Sequence, residues 1–254
     1  MSRMLIINKK DLYTKYPYIG YGDESFVYKY NDDIAIKIYR KLPNEKSKYR
    51  RKLLKIKEMI GILKDPNCTF PLGFVSYNGT DIVGIYIPYV KKHLFLDDLD
   101  DIPFLDNINK QKEIILKADQ TLQRLHSQDI IVGDIKPDNI LISPEAEPIY
   151  VDCDNYKYKN HLFDLVPERS STLYFTYKTP SLCLRDNDIL VFSIMVLNIL
   201  TQDERFDHNS SKEKLDEAIH SLKVEKEILK ELEYIFSPKL DKPYIGSIIK
   251  EMKM

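Results

Sequence analysis

The stretch from His126 to Asp152 reads HSQDIIVGDIKPDNILISPEAEPIYVD and decides the fold of this chain. Its centre places an acid, a lysine and an amide within one short turn, as Asp134, Lys136 and Asn139. Apolar Ile-Leu-Ile and Ile-Tyr-Val segments then flank a polar turn, and a second acid, Asp152, follows. This pattern predicts a strand–turn–strand hairpin between Asn139 and Asp152.

The arrangement resembles the catalytic core of eukaryotic-like (Hanks-type) protein kinases, whose signature is H-R-D-L-x-x-x-N followed by D-F-G. Asn139 lies five residues after Asp134, as that motif requires, and Asp152 lies thirteen residues after Asn139. The resemblance covers roughly residues 17–200 and is closest to compact, divergent bacterial kinase domains. It implies an α+β, bilobal fold. Residues 1–90 would form a nucleotide-binding lobe, a small antiparallel sheet with one helix, and residues 91–254 a shortened helical lobe.

The same resemblance assigns roles to the central residues. Asp134 would orient the attacking hydroxyl and accept its proton, and Lys136 would stabilise charge on the γ-phosphate of ATP. Asn139 and Asp152 would bind magnesium, a hard cation that prefers oxygen ligands.

Residues 17–39 alternate apolar and polar side chains around turns, which predicts successive antiparallel strands. Within them, Gly20-x-Gly22-x-x-Ser25-x-Val27 is a degraded form of the kinase loop that covers phosphates, although a plain hairpin turn explains the glycines equally well. Ile34-Ala35-Ile36-Lys37-Ile38 matches the kinase strand whose lysine binds the α- and β-phosphates, and a lysine flanked by apolar residues needs a partner.

Residues 45–64 predict a helix with Leu53, Ile56, Ile60 and Leu63 on one face. By resemblance a glutamate of this helix would pair with Lys37. Glu58 is the first choice and Glu45 the second, and an exposed Glu58 is an equally good interpretation. The basic run from Lys46 to Lys57 is interpreted as a solvated face, or else as a docking patch for an acidic partner.

An Asn78-Gly79 turn joins two further strands. By resemblance Ile87 is the gatekeeper and Pro88-Tyr89-Val90 the hinge that contacts adenine. The residues expected to bind the nucleotide are therefore Gly20, Gly22, Ser25, Val27, Ala35, Lys37, Glu58, Ile87 and Tyr89.

The chain also departs from the family pattern. Val132-Gly133 replaces His-Arg, so we expect activity that does not depend on phosphorylation of an activation loop. Asp152-Cys153-Asp154 replaces D-F-G, and Asp154 is interpreted as a turn residue or, alternatively, as a contributor to metal or water structure. Ser181 replaces the glutamate that would anchor the activation segment.

The helical lobe is expected to contain a helix from Lys110 to His126, a buried helix from Asp186 to Leu200 and two or three short helices in residues 204–254. His126 is interpreted as structural, and Asp188 as a helix cap that also braces the catalytic loop. Segment 155–181 is rich in hydroxyls. They are either autophosphorylation sites or surface polar groups: Tyr156, Tyr158, Ser170, Ser171, Thr172, Tyr174, Thr176 and Tyr177.

Composition excludes several other classes. The 254 residues carry a formal net charge of −1, which gives no reason to expect a nucleic-acid partner. Three separated cysteines fit neither a disulfide framework nor a zinc site and predict a cytoplasmic protein. No apolar run is long enough for a membrane span, and the N-terminus lacks the features of a signal peptide.

Four functions remain open. The first is an ATP- and magnesium-dependent Ser/Thr protein kinase acting on a protein substrate. The second is a small-molecule kinase of the same fold, and the third is a pseudokinase that serves as a nucleotide-binding scaffold. The fourth is an enzyme of this fold that transfers another part of the nucleotide.

Overall fold

The computed structural model describes residues 4–22, 24–40, 46–91, 93–96, 108–159, 184–207, 210–239 and 241–252. The protein is a mixed α+β protein. It divides into two compact units. Unit 1 comprises Met1–His93 with Ile149–Asp164, and unit 2 comprises Leu94–Pro148 with Leu165–Met254.

Unit 1 is built on a six-stranded sheet whose strand order is β1-β5-β6-β4-β3-β2. Its strands are β1 (Met4–Ile6), β2 (Tyr18–Tyr21), β3 (Ser25–Lys29), β4 (Ile34–Tyr39), β5 (Gly73–Ser76) and β6 (Ile82–Pro88). Four of the five pairings are antiparallel, whereas β1 runs parallel to β5 at one edge. The sheet is therefore not purely antiparallel as expected, because Met4–Ile6 adds an edge strand.

Asparagine side chains define two of the turns. Asn31 Oδ1 accepts the amides of Asp33 and Ile34 between β3 and β4. Asn78 Oδ1 likewise accepts the amides of Thr80 and Asp81 between β5 and β6, where Gly79 has a φ of +83°. Each side chain replaces a backbone acceptor and fixes the direction of the following strand.

Each face of the sheet packs against a helix. On one face, α1 (Asp11–Thr14) contributes Leu12 to a core with Ile36 and Ile38. On the other, α2 (Lys46–Met59) packs Leu53, Ile56 and the following Ile60 against β5 and β6. The prediction of an amphipathic helix in this stretch is confirmed, while the short α1 adds a second helix to this unit.

Unit 2 is mainly helical. The chain enters it through β7 (Leu94–Phe95) and continues into the long helix α3 (Ile108–Ser127), whose predicted inward residues are buried: Ile114, Ile115, Ala118, Leu122 and Leu125. Two short strands follow, β8 (Ile130–Ile131) and β9 (Ile140–Ile142), and β9 pairs with β7. A turn of 3-10 helix, Pro137–Asn139, lies between them.

Four helices complete the described part of unit 2, namely α4 (Leu184–Thr201), α5 (Lys212–Ser221), α6 (Lys226–Ile235) and α7 (Ile245–Glu251). Helix α4 is apolar on every side, and most of its side chains from Ile189 to Leu200 are buried. Such a helix belongs at the centre of a core. The buried helix and the short helices after residue 204 are thus confirmed.

The chain returns to unit 1 within β10 (Pro148–Tyr150), ahead of β11 (Lys157–Tyr158). Tyr150 donates its amide to the Asn67 carbonyl at 2.8 Å and accepts the Thr69 amide at 2.9 Å. This return differs from the expected division at residue 90, which placed everything after that point in one lobe. No helix among the described residues has the length and apolarity needed to cross a membrane.

Candidate active site

The strand register places most of the residues expected to bind nucleotide on one face of the unit 1 sheet. Lys37 is opposite Val27 on β3 and Ile85 on β6, and Ala35 is opposite Ile87. Because opposed residues and residues two apart share a face, these side chains form one surface. Helix α2 packs against the same face, since Ile85 and Ile87 belong to its apolar cluster.

Lys37 is the buried cation on this surface. Its side chain is only 3% exposed, and its Nζ lies 3.1 Å from Asp152 Oδ1 and 2.7 Å from Asp154 Oδ1. Burial alone would lower the pKa of Lys37, but the two carboxylates outweigh burial and hold the pKa above its usual value. The ammonium group therefore stays charged, and both acids come from the segment that follows β10.

The local backbone explains how both acids reach Lys37. Asp152 has a left-handed conformation, with φ of 58°, before the 3-10 turn Cys153–Asn155. Cys153 between them is buried, and its thiol donates to the Tyr150 carbonyl at 3.3 Å. An aspartate tolerates a left-handed backbone better than most residues, so the sequence Asp-Cys-Asp suits this turn.

Asp154 is the central acid of the cluster, with a side chain 2% exposed. Besides Lys37 it contacts Lys52 of α2, whose Nζ lies 3.3 Å from Asp154 Oδ2, and it accepts a hydrogen bond from Tyr39 at 3.4 Å. Lys52 also bonds to Glu24 at 3.0 Å and to Asn155 Oδ1 at 2.7 Å. One network thus joins residues from four parts of unit 1: β4, α2, the β2–β3 connection and the segment after β10.

The charges of this network support one another. Burial would raise the pKa of Asp154, but Lys37 and Lys52 outweigh it and hold the pKa well below its usual range. Burial, assisted by the Asp154 carboxylate, raises the pKa of Tyr39 well above its usual value. Asp154 and Lys37 are therefore both ionised at neutral pH, and the contact between them is a charged hydrogen bond.

The structure favours the exposed interpretation of Glu58 and corrects the interpretation of the basic run on helix α2. Glu58 is exposed, and Asp152 and Asp154 are the acids that neutralise Lys37. Glu45 lies outside the described residues. The basic run is not a uniformly solvated face, because Lys52 and Lys55 are buried. Helix α2 therefore presents cations towards the acid that follows β10.

The remaining nucleotide residues lie at the ends of the strands. The Gly22 amide donates to the Ser25 carbonyl at 3.0 Å, and Ser25 is buried. Neither Gly20 nor Gly22 has a positive φ, and a Cβ at either position would meet no atom within 4 Å. The Tyr89 amide donates to the Asp33 carbonyl at 2.9 Å, so this donor is already used and the expected adenine contact needs another backbone group.

In unit 2 the turn after β8 brings the predicted catalytic residues together. The Asn139 amide nitrogen donates to the Asp134 carbonyl at 2.8 Å and to its Oδ2 at 3.1 Å. Lys136 Nζ lies 3.4 Å from the same Oδ2. The side chain of Asp134 is 37% exposed, which leaves its carboxylate accessible while one oxygen is held in place.

Asp188 braces this turn from helix α4. Its Oδ2 accepts the Val132 amide at 2.7 Å, and its Oδ1 accepts the Gly133 amide at 2.8 Å. His126 Nε2 lies 3.0 Å from Asp188 Oδ2, and its Nδ1 lies 2.9 Å from the Tyr244 hydroxyl. Asp188 does not cap α4, because the helix begins at Leu184 and Asp188 is one turn inside it.

Asn139 of unit 2 and Asp152 of unit 1 are the residues expected to bind magnesium, and each offers oxygen atoms. The nitrogen of the Asn139 amide is used by Asp134, which leaves its oxygen as the atom for a hard cation. Asp152 offers a carboxylate that is 45% exposed. Within the described ranges no three side chains of His, Cys, Asp or Glu are grouped as they would be around a metal ion. The magnesium prediction thus depends on one amide and one carboxylate.

The hydroxyl-rich segment is described only at its start. Tyr156 and Tyr158 are buried, and the Tyr156 hydroxyl donates to the Val151 carbonyl at 3.0 Å. They are not accessible as phosphorylation sites. The other hydroxyls, together with Ser181, lie outside the described residues. Cys68 and Cys153 are buried and form no disulfide.

The network residues Lys52, Glu24 and Asn155 were not predicted from sequence as members of the site, and Asp154 was considered only as a turn residue or a contributor to metal or water structure, not as a partner of Lys37. The contact between Asp154 and Lys52 was missed. One signal could have found this contact. An acid stands where the resembled family has the glycine of D-F-G, and lysines dominate the helix that should supply an acid. The additional acid after β10 and the additional lysines on the helix therefore have opposite charges. Neither a family model nor a curated protein matches this chain.

Proposed function

We propose that the protein is an ATP- and magnesium-dependent protein kinase that transfers the γ-phosphate to Ser or Thr hydroxyls. The proposal includes the bilobal arrangement of the resembled family. Unit 1 then carries the nucleotide, and unit 2 carries the catalytic loop. The observation that supports it most strongly is the burial of Lys37 beside Asp152, because a buried ammonium held by carboxylates matches the expected phosphate-binding lysine.

The proposed roles of Lys37 and Asp152 in unit 1 follow from how exposed their side chains are. Lys37 would contact the α- and β-phosphates. Asp152, which is 45% exposed, would turn its carboxylate to magnesium when the nucleotide binds. Magnesium would neutralise charge on the phosphates. Open space beside Gly20 and Gly22 suits a close approach of phosphate oxygens to the backbone.

The roles in unit 2 follow from hydrogen bonding. Asp134 is held through one oxygen by Asn139 and would accept the proton of the attacking hydroxyl with the other. Lys136, beside the same carboxylate, would neutralise the transferring phosphoryl group. Phosphoryl transfer needs positioning and charge neutralisation more than covalent help, and these residues supply both.

A second function, a pseudokinase that acts as a nucleotide-binding scaffold, is favoured by two observations. The Tyr89 amide is used within unit 1, and Lys37 is bound by two acids instead of one. A small-molecule kinase remains the alternative enzyme. A protein substrate and a cytoplasmic location remain predictions.

The test is transfer of labelled γ-phosphate from ATP and magnesium to the protein itself and to a generic basic protein. Asp134→Asn should abolish transfer. Asp138→Asn is the matched control, because Asp138 is an exposed acid of the same turn. Transfer by wild type and control alone would support the kinase. ATP binding without any transfer would favour the scaffold, and transfer unchanged in Asp134→Asn would contradict the assignment of the base.

A further inference from the structure

Asp154 stands where the D-F-G motif of the resembled family has its glycine, and Lys52 lies on the helix that would supply the family's glutamate. Here the two residues contact each other. The distances are 2.7 Å from Lys37 Nζ to Asp154 Oδ1 and 3.3 Å from Lys52 Nζ to Asp154 Oδ2. One carboxylate therefore bridges two ammonium groups. The acid closest to Lys37 comes from the segment after β10, and helix α2 contributes a cation.

We propose that Asp154 and Lys52 are the positioning residues for Lys37: Asp154 fixes its ammonium group, and Lys52 fixes Asp154 from helix α2. The inference rests on the proposed function for the identity of the ligand, the phosphates of ATP. It adds two residues to the site and replaces the helix glutamate with a lysine–aspartate–lysine bridge.

Exposure separates the tasks of the two acids that bind Lys37. The Asp152 side chain is 45% exposed, so it can turn to a ligand, whereas Asp154 is 2% exposed and already has both oxygens in use. When Asp152 turns to magnesium, Lys37 loses one of its two carboxylates. Asp154 then remains as the acid that holds the lysine against the sheet.

Lys52 connects this bridge to the phosphate-covering turn. Its ammonium contacts Glu24, next to Ser25 in that turn, and Asn155, next to Asp154. Lys52 is itself buried, so its partners are fixed and not exchanged with water. A shift of helix α2 would therefore move Asp154, Glu24 and indirectly Lys37 together, which couples the helix to the nucleotide.

The charges in this cluster are balanced. Lys37, Lys52 and Lys55 supply the positive charges that act on Asp154. Asp152, Asp154 and Glu24 supply the negative charges that contact Lys37 and Lys52. Removing Asp154 would leave buried ammonium groups without their shared acid, which is unfavourable in a low-dielectric environment.

The test uses the full chain and two readouts. The first is the ¹³Cε chemical shift of Lys37 in labelled protein at neutral pH, assigned with Lys37→Arg, which reports the surroundings of its ammonium group. The second is the affinity for ATP and magnesium measured by calorimetry, together with the separate effects on kcat and on KM for ATP. Asp154→Asn should move the Lys37 signal away from its wild-type position, because the ammonium group loses its closest carboxylate.

Lys52→Met should weaken ATP binding and raise KM for ATP roughly 10- to 100-fold, with a smaller effect on kcat, since misplacement of Lys37 weakens phosphate binding. Lys52→Arg, which keeps the charge, should recover most of this loss. Lys57→Met is the matched control, an exposed lysine of the same helix that should behave as wild type. Circular dichroism establishes that each variant is folded.

A double variant tests the exchange of charges directly. Lys52→Glu alone puts an acid beside Asp154 and should weaken ATP binding more than Lys52→Met. Adding Asp154→Gly returns the acid to the helix and should recover part of that loss, which is the non-additivity expected of residues in contact.

Two results would overturn the inference: an unchanged Lys37 ¹³Cε signal in folded Asp154→Asn, or equal ATP affinities in Lys52→Met and Lys57→Met. Failure of the proposed kinase activity is distinguishable from both. A wild-type protein that binds ATP without transferring phosphate would overturn that activity, while a moved Lys37 signal and weakened ATP binding in the variants would still support the positioning role.

Discussion

The Gly133 amide, one residue before Asp134, donates to the Asp188 carboxylate at 2.8 Å. The Val132 amide binds the other oxygen, so one buried acid holds two consecutive amides of the turn that precedes Asp134. Gly133 has a φ of +76°, a conformation that suits glycine. The glycine of Gly-Asp thus fits a turn whose direction is set by an acid on helix α4.

Asp188→Ala should lower the free energy of unfolding by about 3–5 kcal/mol, because two loop amides and His126 lose a charged acceptor. Asp188→Asn, which keeps one oxygen, should lose less. Asp216→Ala is the control, since its ion pair with Lys212 is exposed and contributes little. Urea unfolding measures all three, and equal losses at positions 188 and 216 would contradict the bracing role.

Lys37→Met should reduce phosphate transfer about 100-fold or more, because a cation aimed at the phosphates is lost. The variant should still fold, since Asp154 keeps its contact with Lys52. The comparison is Lys64→Met, an exposed lysine of the same unit. Initial rates at saturating and limiting ATP measure the effect, and a variant with wild-type rates would remove Lys37 from the proposed mechanism.

Alanine substitutions at three glycines should distinguish an effect on stability from an effect on ligand binding. Alanine at Gly20 and Gly22 meets no atom within 4 Å, so the double variant should keep its melting temperature and bind ATP more weakly if phosphates approach there. At Gly84, by contrast, a Cβ would lie 2.1 Å from the Lys37 carbonyl oxygen, which forces β4 and β6 apart. Gly84→Ala should therefore unfold at markedly lower temperature. Thermal melts with ATP titrations test both, and weak ATP binding only in Gly84→Ala would contradict the phosphate role of the first two glycines.

Local patterns predicted much of the fold. Alternation in residues 17–39 predicted strand β4, and helical spacing of apolar residues predicted α2 and α3, while the resemblance predicted α4. The spacing of five residues between Asp134 and Asn139 matched the motif, and in the structure the Asn139 amide binds the Asp134 carboxylate. These contacts are close in sequence, so residue type and spacing determine them.

The acid that binds Lys37 could not be predicted in the same way. Asp154 is 117 residues from Lys37, and local pattern does not choose among distant acids. A lysine on an amphipathic helix is normally solvated, so Lys52 looked like a surface residue until the opposing acid was known. The parallel strand β1 was missed for a similar reason, because three residues at an edge carry little periodicity.

Asp119 is a buried acid of α3, and burial raises its pKa to about 6 despite hydrogen bonds from Gln123 and the Gly246 amide. The proton is held more tightly in the folded than in the unfolded protein. Between the ordinary pKa of about 4 and pH 6 the unfolded chain ionises first, so stability falls as pH rises through this window. Above pH 6 the ionisation of buried Asp119 lowers the free energy of unfolding by its full amount, roughly 3 kcal/mol for two pKa units.

Asp119→Asn removes this titration. The stability of wild type relative to the variant should therefore increase by roughly 2–3 kcal/mol when pH is lowered from 7.5 to 4.5. Glu113→Gln, an exposed acid of the same helix, should show no such trend. Urea unfolding at four pH values measures the difference. If the difference in unfolding free energy between wild type and Asp119→Asn stays constant with pH, the pKa of Asp119 is the same in the folded and unfolded protein. That result would contradict an effect of burial on this carboxyl group.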